Sequence, residues 1–139
     1  MNKEKVMEES LKLVDTSEFV MVGTNGDEGC PNIKAMFKME NEGIKRIWLS
    51  TNTSSKRVAQ LQKNPKACLY FVNTAEFKGM MLVGEVEVLQ DEQSRKRLWR
   101  EGNEMYYPQG VNDPDYSVLR FTAKQGNYYH GLENLTFDV

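Results

Sequence analysis

Residues 49–56 read Leu-Ser-Thr-Asn-Thr-Ser-Ser-Lys, a stretch in which an apolar strand passes into a hydroxyl-rich turn and Lys56 and Arg57 then open a helix. A helix N-terminus presents unpaired backbone N–H groups and the positive end of the helix dipole, so it favours anions over cations. Two cations at this end are explained if an anion such as phosphate binds among them. The alternative is an ordinary N-cap at Ser54 or Ser55 with both cations in water.

Short β-branched and aromatic runs, separated by turn residues, flank this stretch on both sides. They predict strands over residues 19–24, 32–39, 44–50, 66–73, 78–89, 117–123 and 127–130. Amphipathic or capped segments predict helices over residues 3–14, 55–63 and 91–100. The first three strands form an antiparallel meander, Gly84 marks a bulge, and Met80–Val83 is predicted to be buried on both faces. The pattern predicts a mainly β (α+β) fold, a six-stranded antiparallel split or closed β-barrel with peripheral helices.

Composition narrows the class of protein. The 139 residues and a hydrophobic content of 40% suit a single domain over residues 1–139, and a net charge of -2 without basic blocks argues against nucleic-acid binding. The longest apolar run, Ala67–Val72, is too short to span a membrane, and residues 1–9 are charged and lack an apolar h-region, so we expect neither membrane insertion nor secretion. Cys30, Cys68 and the single histidine cannot form a usual zinc site, so we expect reduced thiols and a cytoplasmic location.

Several further segments follow one another in a recognisable order. They are Pro31-Asn32-Ile33-Lys34-Ala35-Met36-Phe37-Lys38, the stretch 49–56, Asn64-Pro65, Gly84, Asp91 with Leu98-Trp99, Tyr106-Pro108-Gly110 and Tyr128-Tyr129. In this order and spacing, over nearly the whole chain, the sequence resembles the pyridoxamine phosphate oxidase-like, FMN-binding split-barrel family, particularly its small bacterial general-stress-protein branch. Each motif is weak by itself, and the order carries the likeness.

The resemblance implies FMN as the cofactor, with its phosphate held by a basic residue on the second strand, here Lys34, and by the hydroxyl-rich loop with its lysine. The strand backbone from Ile33 to Met36 would contact the flavin ring, Gly79 stands where the oxidase has a glutamine, and Tyr129 replaces a tryptophan. The implied cofactor-binding residues are Ile33, Lys34, Ala35, Met36, Leu49, Ser50, Thr51, Ser55, Lys56, Gly79 and Tyr129.

The resemblance also implies a homodimer with flavin sites at the subunit interface and an oxidoreductase whose reductant is NAD(P)H. Two departures from the family pattern stand out. Ile33 stands where the oxidase has an arginine, which motivates a cofactor-free alternative, and residues 135–139 lack the oxidase's arginine- and histidine-bearing tail, so we expect a substrate other than pyridoxamine phosphate. The alternatives are a non-catalytic flavin-binding or flavin-buffering protein, a cofactor-free interaction module, and a deazaflavin- or haem-binding relative. No residue is predicted to act as a catalytic acid or base.

Two readings without a ligand remain open for the residues of this site. Lys34 and Lys38 alternate with Ala35 and Phe37, which is typical of a half-buried strand with a solvated lysine face. Tyr106 and Tyr107 suit a core or a subunit interface better than stacking on a cofactor.

Overall fold

Seven strands and three helices make up the chain in a computed structural model that describes residues 1–139. The helices are α1 (Lys3–Thr16), α2 (Lys56–Lys63) and α3 (Glu92–Leu98). The strands are β1 (Phe19–Asn25), β2 (Pro31–Glu42), β3 (Arg46–Asn52), β4 (Lys66–Asn73), β5 (Lys78–Leu89), β6 (Tyr116–His130) and β7 (Glu133–Asp138). Short 3₁₀ turns lie at Asp27–Gly29, Asn103–Met105 and Gly110–Asn112. No helix is long and apolar enough to span a membrane.

Six of the strands close into an antiparallel barrel. Their order is β3-β2-β1-β4-β5-β6, and β3 also pairs with β6, which joins the two ends. The strand β7 lies outside this ring and pairs with the second half of β6, from Gln125 to His130. The prediction of a mainly β, six-stranded antiparallel barrel with peripheral helices is confirmed, and the first three strands form the predicted meander.

The barrel is split between β2 and β3. All of β3 pairs with β6, from Arg46 opposite Thr122 to Asn52 opposite Tyr116. The pairing of β3 with β2 covers only the stretch from Glu42 to Lys38 and stops at Leu49. Residues 31–37 of β2 pair with β1 alone, so their other backbone edge faces a gap beside the end of β3.

The structure differs from the prediction in the last third of the chain. Residues 117–130 belong to one strand, β6, because Lys124 forms a bulge opposite Val83 and Gly84 and the strand then continues. The turn-like Gly126 instead makes room for β7, since a Cβ there would lie 2.5 Å from the Phe137 ring. The strand β7 was not predicted, although Leu135 and Phe137 show the required alternation.

Two apolar clusters stabilise the fold. The larger one fills the barrel and continues under α1, with Val14, Ile47, Leu49, Leu69 and Leu82 among its fully buried members. The smaller one lies outside the barrel, where α3 and the segment 99–115 cover β3 and β6; it comprises Trp48, Leu98, Tyr107, Tyr116 and Val118. The segment 99–115 is therefore packed against the outside of the barrel beside the split.

The outer face of the sheet formed by β2, β1, β4 and β5 is not covered. The prediction that Met80–Val83 is buried on both faces is wrong for the single chain, because Met80 and Leu82 are fully buried while Met81 is 39% exposed. Phe19 and Phe37 lie opposite each other on the same face, with ring centroids 4.6 Å apart. A large apolar surface of this kind is typical of a face that another molecule covers.

We predict that Gly84→Ala lowers the free energy of unfolding by about 1–3 kcal/mol, because extra volume at a closed site forces the backbone to move. A Cβ at Gly84 would lie 2.0 Å from the carbonyl oxygen of Thr122. Urea unfolding measures the effect, and Gly23→Ala is the control, since its Cβ would meet the movable Sγ of Cys68 at 2.6 Å. An equal or larger loss for Gly23→Ala would contradict the assignment of the bulge to Gly84.

Candidate functional site

A cavity of about 280 Å³ lies in the split between β2 and β3. Its walls come from the free edge of β2, the end of β3, the first turn of α2 and the segment that follows α3. The lining residues are Lys34, Ala35, Met36, Phe37, Met39, Ser50, Thr51, Asn52, Arg57, Asn103, Tyr106 and Tyr107. This set contains two cations and no carboxylate, so the cavity favours an anion.

The first turn of α2 adds backbone donors to this charge. Ser55 is the N-cap, and its hydroxyl accepts a hydrogen bond from the Val58 N–H at 3.3 Å. No hydrogen bond in the structure uses the N–H of Lys56 or of Arg57. Two unpaired donors and the positive helix end therefore lie next to the cavity, as in many anion sites.

The Arg57 side chain reaches from α2 into the cavity. One of its terminal nitrogens donates to Thr51 Oγ1 at 3.1 Å, whereas the buried Nε has no partner. Burial lowers the pKa of Arg57, and the neighbouring Tyr107 opposes this shift. Ser50 Oγ, in the same cavity, is buried and forms no hydrogen bond of standard length, although it lies close enough to the Tyr116 hydroxyl to oppose the rise in the pKa of Tyr116 that burial causes.

Unpaired buried polar atoms are informative because each costs about 1–3 kcal/mol. An unpaired guanidinium nitrogen and an unpaired hydroxyl at one cavity can both form hydrogen bonds to a polar ligand without breaking bonds within the protein. The donors Arg57 Nε and Ser50 Oγ fit the oxygens of a phosphate or carboxylate. The geometry therefore defines a candidate anion site.

Tyr107 and Tyr106 form the aromatic wall of the cavity. Burial, together with the nearby Tyr116, Asp115 and Asp113, raises the pKa of Tyr107 to about 12, so its hydroxyl stays protonated. Tyr106 is 56% exposed and covers the outer part of the wall. Histidine, cysteine, aspartate and glutamate are absent from the lining. The cavity can bind and orient a ligand, but its side chains supply no general base near neutral pH.

Asp115 holds the loop between β3 and α2. Its carboxylate accepts hydrogen bonds from Asn52 Nδ2 at 2.9 Å and from the Ser54 N–H at 2.8 Å. Its backbone carbonyl accepts a further bond from the Thr53 N–H at 2.7 Å. The bonds from Asn52 and Ser54 hold the pKa of Asp115 below its usual range.

The structure brings five of the eleven predicted cofactor-binding residues together in this cavity: Lys34, Ala35, Met36, Ser50 and Thr51. Ser55 caps the adjoining helix, and Lys56 is exposed at its start. Leu49 is fully buried in the barrel and pairs with both neighbouring strands, which leaves it no free edge. Cofactor binding by these residues stays a prediction.

Three predicted residues lie elsewhere. Ile33 is 71% exposed and lines a second cavity, of about 540 Å³, on the outer face. Gly79 lies opposite Tyr129 in the pairing of β5 with β6. The Tyr129 hydroxyl is 2.7 Å from that of Tyr70. A ligand that reached all of these residues would have to extend from the split across the outer face.

The prediction of a solvated lysine face on β2 holds for Lys34, which is exposed, and fails for Lys38, which is half-buried. Lys34 lies opposite the fully buried Val22, on the barrel side of the strand, whereas Ala35 and Phe37 are exposed on the outer face. Lys38 donates to the Val14 carbonyl and to Asn41 Oδ1 and thereby binds the end of α1. Lys34 is the lysine of β2 that faces the cavity.

Sequence reasoning overlooked Arg57, Asn103 and the two tyrosines as site residues. The signal for Arg57 was its place in the first turn of α2, which it shares with Lys56, but a sequence does not tell which of two adjacent cations turns inward. Tyr107 was expected in a core or an interface, and it does pack in the smaller cluster while lining the cavity. Asn103 carried no signal, because its position depends on the packing of the whole segment.

The fold defines a class, the split β-barrels, here with a candidate anion site in the split beside a helix N-terminus. A family model described as pyridoxamine 5'-phosphate oxidase matches residues 6–130. The chain belongs to this family.

Solved structures agree with this assignment. A protein from Clostridium acetobutylicum, described as related to general stress protein 26 of B. subtilis and of the pyridoxinephosphate oxidase family, is 54% identical over 99% of this chain and 97% of its own, with a TM-score of 0.91. General stress protein 26 from Bacillus anthracis is 14% identical over 94% and 98% of the two chains, with a TM-score of 0.77.

A heme binding protein from Mycobacterium smegmatis shares the fold at 14% identity and a TM-score of 0.79, over 99% of this chain and 60% of its own. Among proteins with curated descriptions, none matches the sequence.

We predict that Arg57→Met leaves the free energy of unfolding of the ligand-free protein unchanged or slightly higher. The change removes a partly desolvated cation with an unpaired nitrogen and keeps the apolar stem. The control is Arg95→Met, whose Nε donates to the Tyr116 carbonyl at 3.1 Å, and this change should cost about 1–2 kcal/mol. Urea unfolding of both variants checks the contrast, and a larger loss for Arg57→Met would make Arg57 a structural residue.

Proposed function

We propose that this chain binds FMN, with the phosphate in the cavity between β2 and β3, and acts as an FMN-dependent oxidoreductase. The observation that carries the proposal is the pair of buried, unpartnered donors, Arg57 Nε and Ser50 Oγ, in a cavity lined by two cations and no carboxylate. A phosphate monoester carries a charge near -2 and three acceptor oxygens, which this donor set matches.

The size of the cavity supports a ligand that extends beyond it. A volume of about 280 Å³ is at the lower limit of cofactor sites, which measure about 300–1,000 Å³. The cavity therefore suits the phosphate end of FMN. The free edge of β2 at residues 31–37 offers unpaired backbone groups to the ring, as the sequence resemblance implies for Ile33 to Met36.

The second part of the proposal is a homodimer formed through the outer sheet face. Fifteen neighbouring outward positions on β2, β1, β4, β5 and β6 carry no charged side chain: Ile33, Ala35, Phe37, Phe19, Met21, Gly23, Cys68, Tyr70, Val72, Gly79, Met81, Val83, Gln125, Asn127 and Tyr129. Charged residues of both signs, Lys66, Glu85 and Lys124, border this set at one end of the same face. A second copy can meet the uncharged part of this face about a two-fold axis without like-charge repulsion.

The dimer would also explain two features of the single chain. The exposed Met81 and Phe37 would become buried, which accounts for the apolar character of both faces of β5. Ile33, Gly79 and Tyr129 share this face, so they would lie at the subunit interface. A flavin ring that leaves the cavity along β2 would enter the same interface.

When bound, FMN supplies hydride or electron transfer, and the protein supplies binding and orientation. Arg57, Lys34 and the first turn of α2 hold the phosphate, and the protonated Tyr107 hydroxyl lies beside it as a neutral donor. We propose NAD(P)H as the reductant, a substrate other than pyridoxamine phosphate, and a cytoplasmic location, where the free thiols of Cys30 and Cys68 persist.

A second candidate function is a protein that holds flavin without catalysis. The absence of histidine, cysteine, aspartate and glutamate from the cavity lining favours it, because no lining side chain then serves as a general base near neutral pH. Steady oxidation of NADPH or NADH by the FMN-loaded protein with an added acceptor would support the oxidoreductase. A single reduction of bound flavin, without turnover over a panel of acceptors, would support the flavin-holding protein.

The cofactor-free alternative rested on the missing arginine of the second strand. In the structure α2 supplies a guanidinium to the cavity through Arg57, so that motive no longer holds. A haem ligand is less favoured in this cavity, because the single histidine, His130, is exposed at the end of β6 and is not in the lining.

We predict that the protein binds FMN at least about tenfold more tightly than riboflavin, because charge-assisted bonds to phosphate contribute about 1.5–3 kcal/mol each. Arg57→Ala should weaken FMN binding about 10- to 100-fold and leave riboflavin binding unchanged. Fluorescence titration measures both ligands, and Arg46→Ala is the control, since Arg46 pairs with Glu42 on the surface. Equal affinity of the wild-type protein for FMN and riboflavin would refute the phosphate site.

The same titration separates the lysines from Arg57. The double change of Lys34→Ala and Lys56→Ala should also weaken FMN binding selectively, because both ammonium groups lie at the cavity or at the start of α2. Unchanged FMN affinity in this variant would remove the two lysines from the site without affecting the assignment of Arg57.

We predict that the chain is a dimer at micromolar concentration and that Phe37→Lys shifts it to a monomer, because a charge in the apolar face must be desolvated when the two copies meet. Sedimentation equilibrium measures the mass. The control is Leu132→Lys, which changes a residue that is 99% exposed in the turn after β6. A monomeric wild-type protein would refute the dimer.

A further inference from the structure

Asp115 has no role in the function proposed above, yet its carboxylate is fully used. One oxygen accepts the Ser54 N–H at 2.8 Å and the other accepts Asn52 Nδ2 at 2.9 Å. Both partners belong to the loop that leads from β3 into α2, and Asn52 lines the cavity. Asp115 itself lies just before β6, on the rigid side of the barrel closure.

The charge of Asp115 opposes the binding of an anion. A carboxylate beside the start of a helix repels a phosphate and interacts with the same positive helix end. If charge alone mattered, an asparagine at this position would bind FMN better. The position of the two hydrogen bonds that the carboxylate accepts explains why an aspartate at residue 115 can favour anion binding.

The carboxylate takes the N–H that precedes the N-cap and leaves the next donors free. Ser54 donates to Asp115, Ser55 caps the Val58 N–H, and the N–H groups of Lys56 and Arg57 have no partner. The second bond holds the Asn52 side chain beside the cavity. The Asp115 carboxylate is therefore one of the groups that hold the loop and place the start of α2 and the Arg57 side chain beside the cavity. The bond from the Ser55 N–H to the Asn52 carbonyl and the bond between the Thr53 and Ser117 hydroxyls hold it as well.

We infer that Asp115 is a positioning residue for the anion site: it orders the 52–55 loop before the ligand arrives and thereby strengthens phosphate binding in spite of its negative charge. This inference rests on the proposed FMN site. Simple electrostatics predicts that removing the Asp115 charge strengthens phosphate binding, whereas this inference predicts that it weakens phosphate binding. A measurement of affinity distinguishes the two.

The main experiment compares the affinities of Asp115→Ala and Asp115→Asn for FMN and riboflavin. Asp115→Ala should weaken FMN binding about fivefold to tenfold and change riboflavin binding less than twofold. Asp115→Asn, which keeps one acceptor oxygen for the Ser54 N–H, should recover part of the loss. The control is Asp27→Asn, which removes the same charge beside Lys63 at the opposite end of α2 and should not weaken FMN binding.

Two results for Asp115→Ala would contradict the positioning role. Tighter or unchanged FMN binding by Asp115→Ala would overturn the inference and leave Asp115 as a mere repulsive charge. A lower melting temperature with an unchanged ratio of FMN to riboflavin affinity would also overturn it, because Asp115 would then serve only the fold.

A measurement without flavin separates this inference from the proposed function. Inorganic phosphate should shift the amide resonances of Lys56 and Arg57 in the wild-type protein, and Asp115→Ala should reduce these shifts and the hydrogen-exchange protection of the Ser54 amide. If the wild-type protein shows these effects but fails to bind FMN, the FMN proposal fails and the positioning role stands. Unchanged phosphate shifts or unchanged Ser54 protection in Asp115→Ala would overturn the positioning role alone.

Discussion

Closure of the barrel by β3 and β6 is the constraint on which the site depends. The strand β3 pairs with β6 along its full length, whereas β2 is held by β1 on its far side. Since each strand is bound to a different neighbour, they separate beyond Lys38 and Leu49. The gap exposes a backbone edge and is wide enough for a side chain from α2. The cavity is thus a product of barrel closure.

The gap contains polar groups that lower the stability of the protein when no ligand is bound. Arg57 Nε and Ser50 Oγ are buried without partners, and the N–H groups at the start of α2 have none either. The two buried atoms are unfavourable in the empty protein and become favourable once an anion accepts their hydrogen bonds, whereas the N–H groups at the exposed helix start are available to the same anion. Two of the three buried side-chain atoms without a hydrogen bond lie at this cavity, the third being Ser10 Oγ in α1, and unsatisfied groups at one cavity are typical of functional sites.

The outer sheet face likewise leaves groups exposed that contact with another molecule would stabilise, over a larger area than the cavity. Within one chain, apolar residues such as Phe37 and Met81 remain exposed, although Met36, Met80 and Leu82, next to them along the same strands, are buried. The uncharged face begins at the edge of the cavity, because Ala35 and Phe37 line the cavity while Ile33 continues the row. Ligand binding and subunit contact would then use adjoining parts of β2, which relates the two proposals physically.

Local patterns were a reliable guide wherever a segment is governed by its own residues. The strands β4 and β5 have the predicted bounds, and α2 ends as predicted at Lys63 and begins just after its predicted cap. The prediction failed at Lys124-Gln125-Gly126, which has the composition of a turn but forms a bulge, because β5 bends at Gly84 alongside it. Five of the twelve lining residues were predicted for a related reason: Lys34 and Ser50 lie on identifiable strands, whereas Asn103 and Tyr107 lie in an irregular segment.

The sequence by itself determined the helices, most of the strands, a serine cap at residue 54 or 55 and an anion-binding signal at the start of α2, because these depend on side-chain spacing and backbone preference over a few residues. Only the tertiary structure decided that β2 and β3 separate, that Arg57 rather than Lys56 turns inward, and that Ala35 and Phe37 face outward. Those outcomes depend on the register between strands distant in sequence and on the packing of the segment 99–115. Pairing and burial of that kind are properties of the closed barrel and are not encoded in any short stretch of residues.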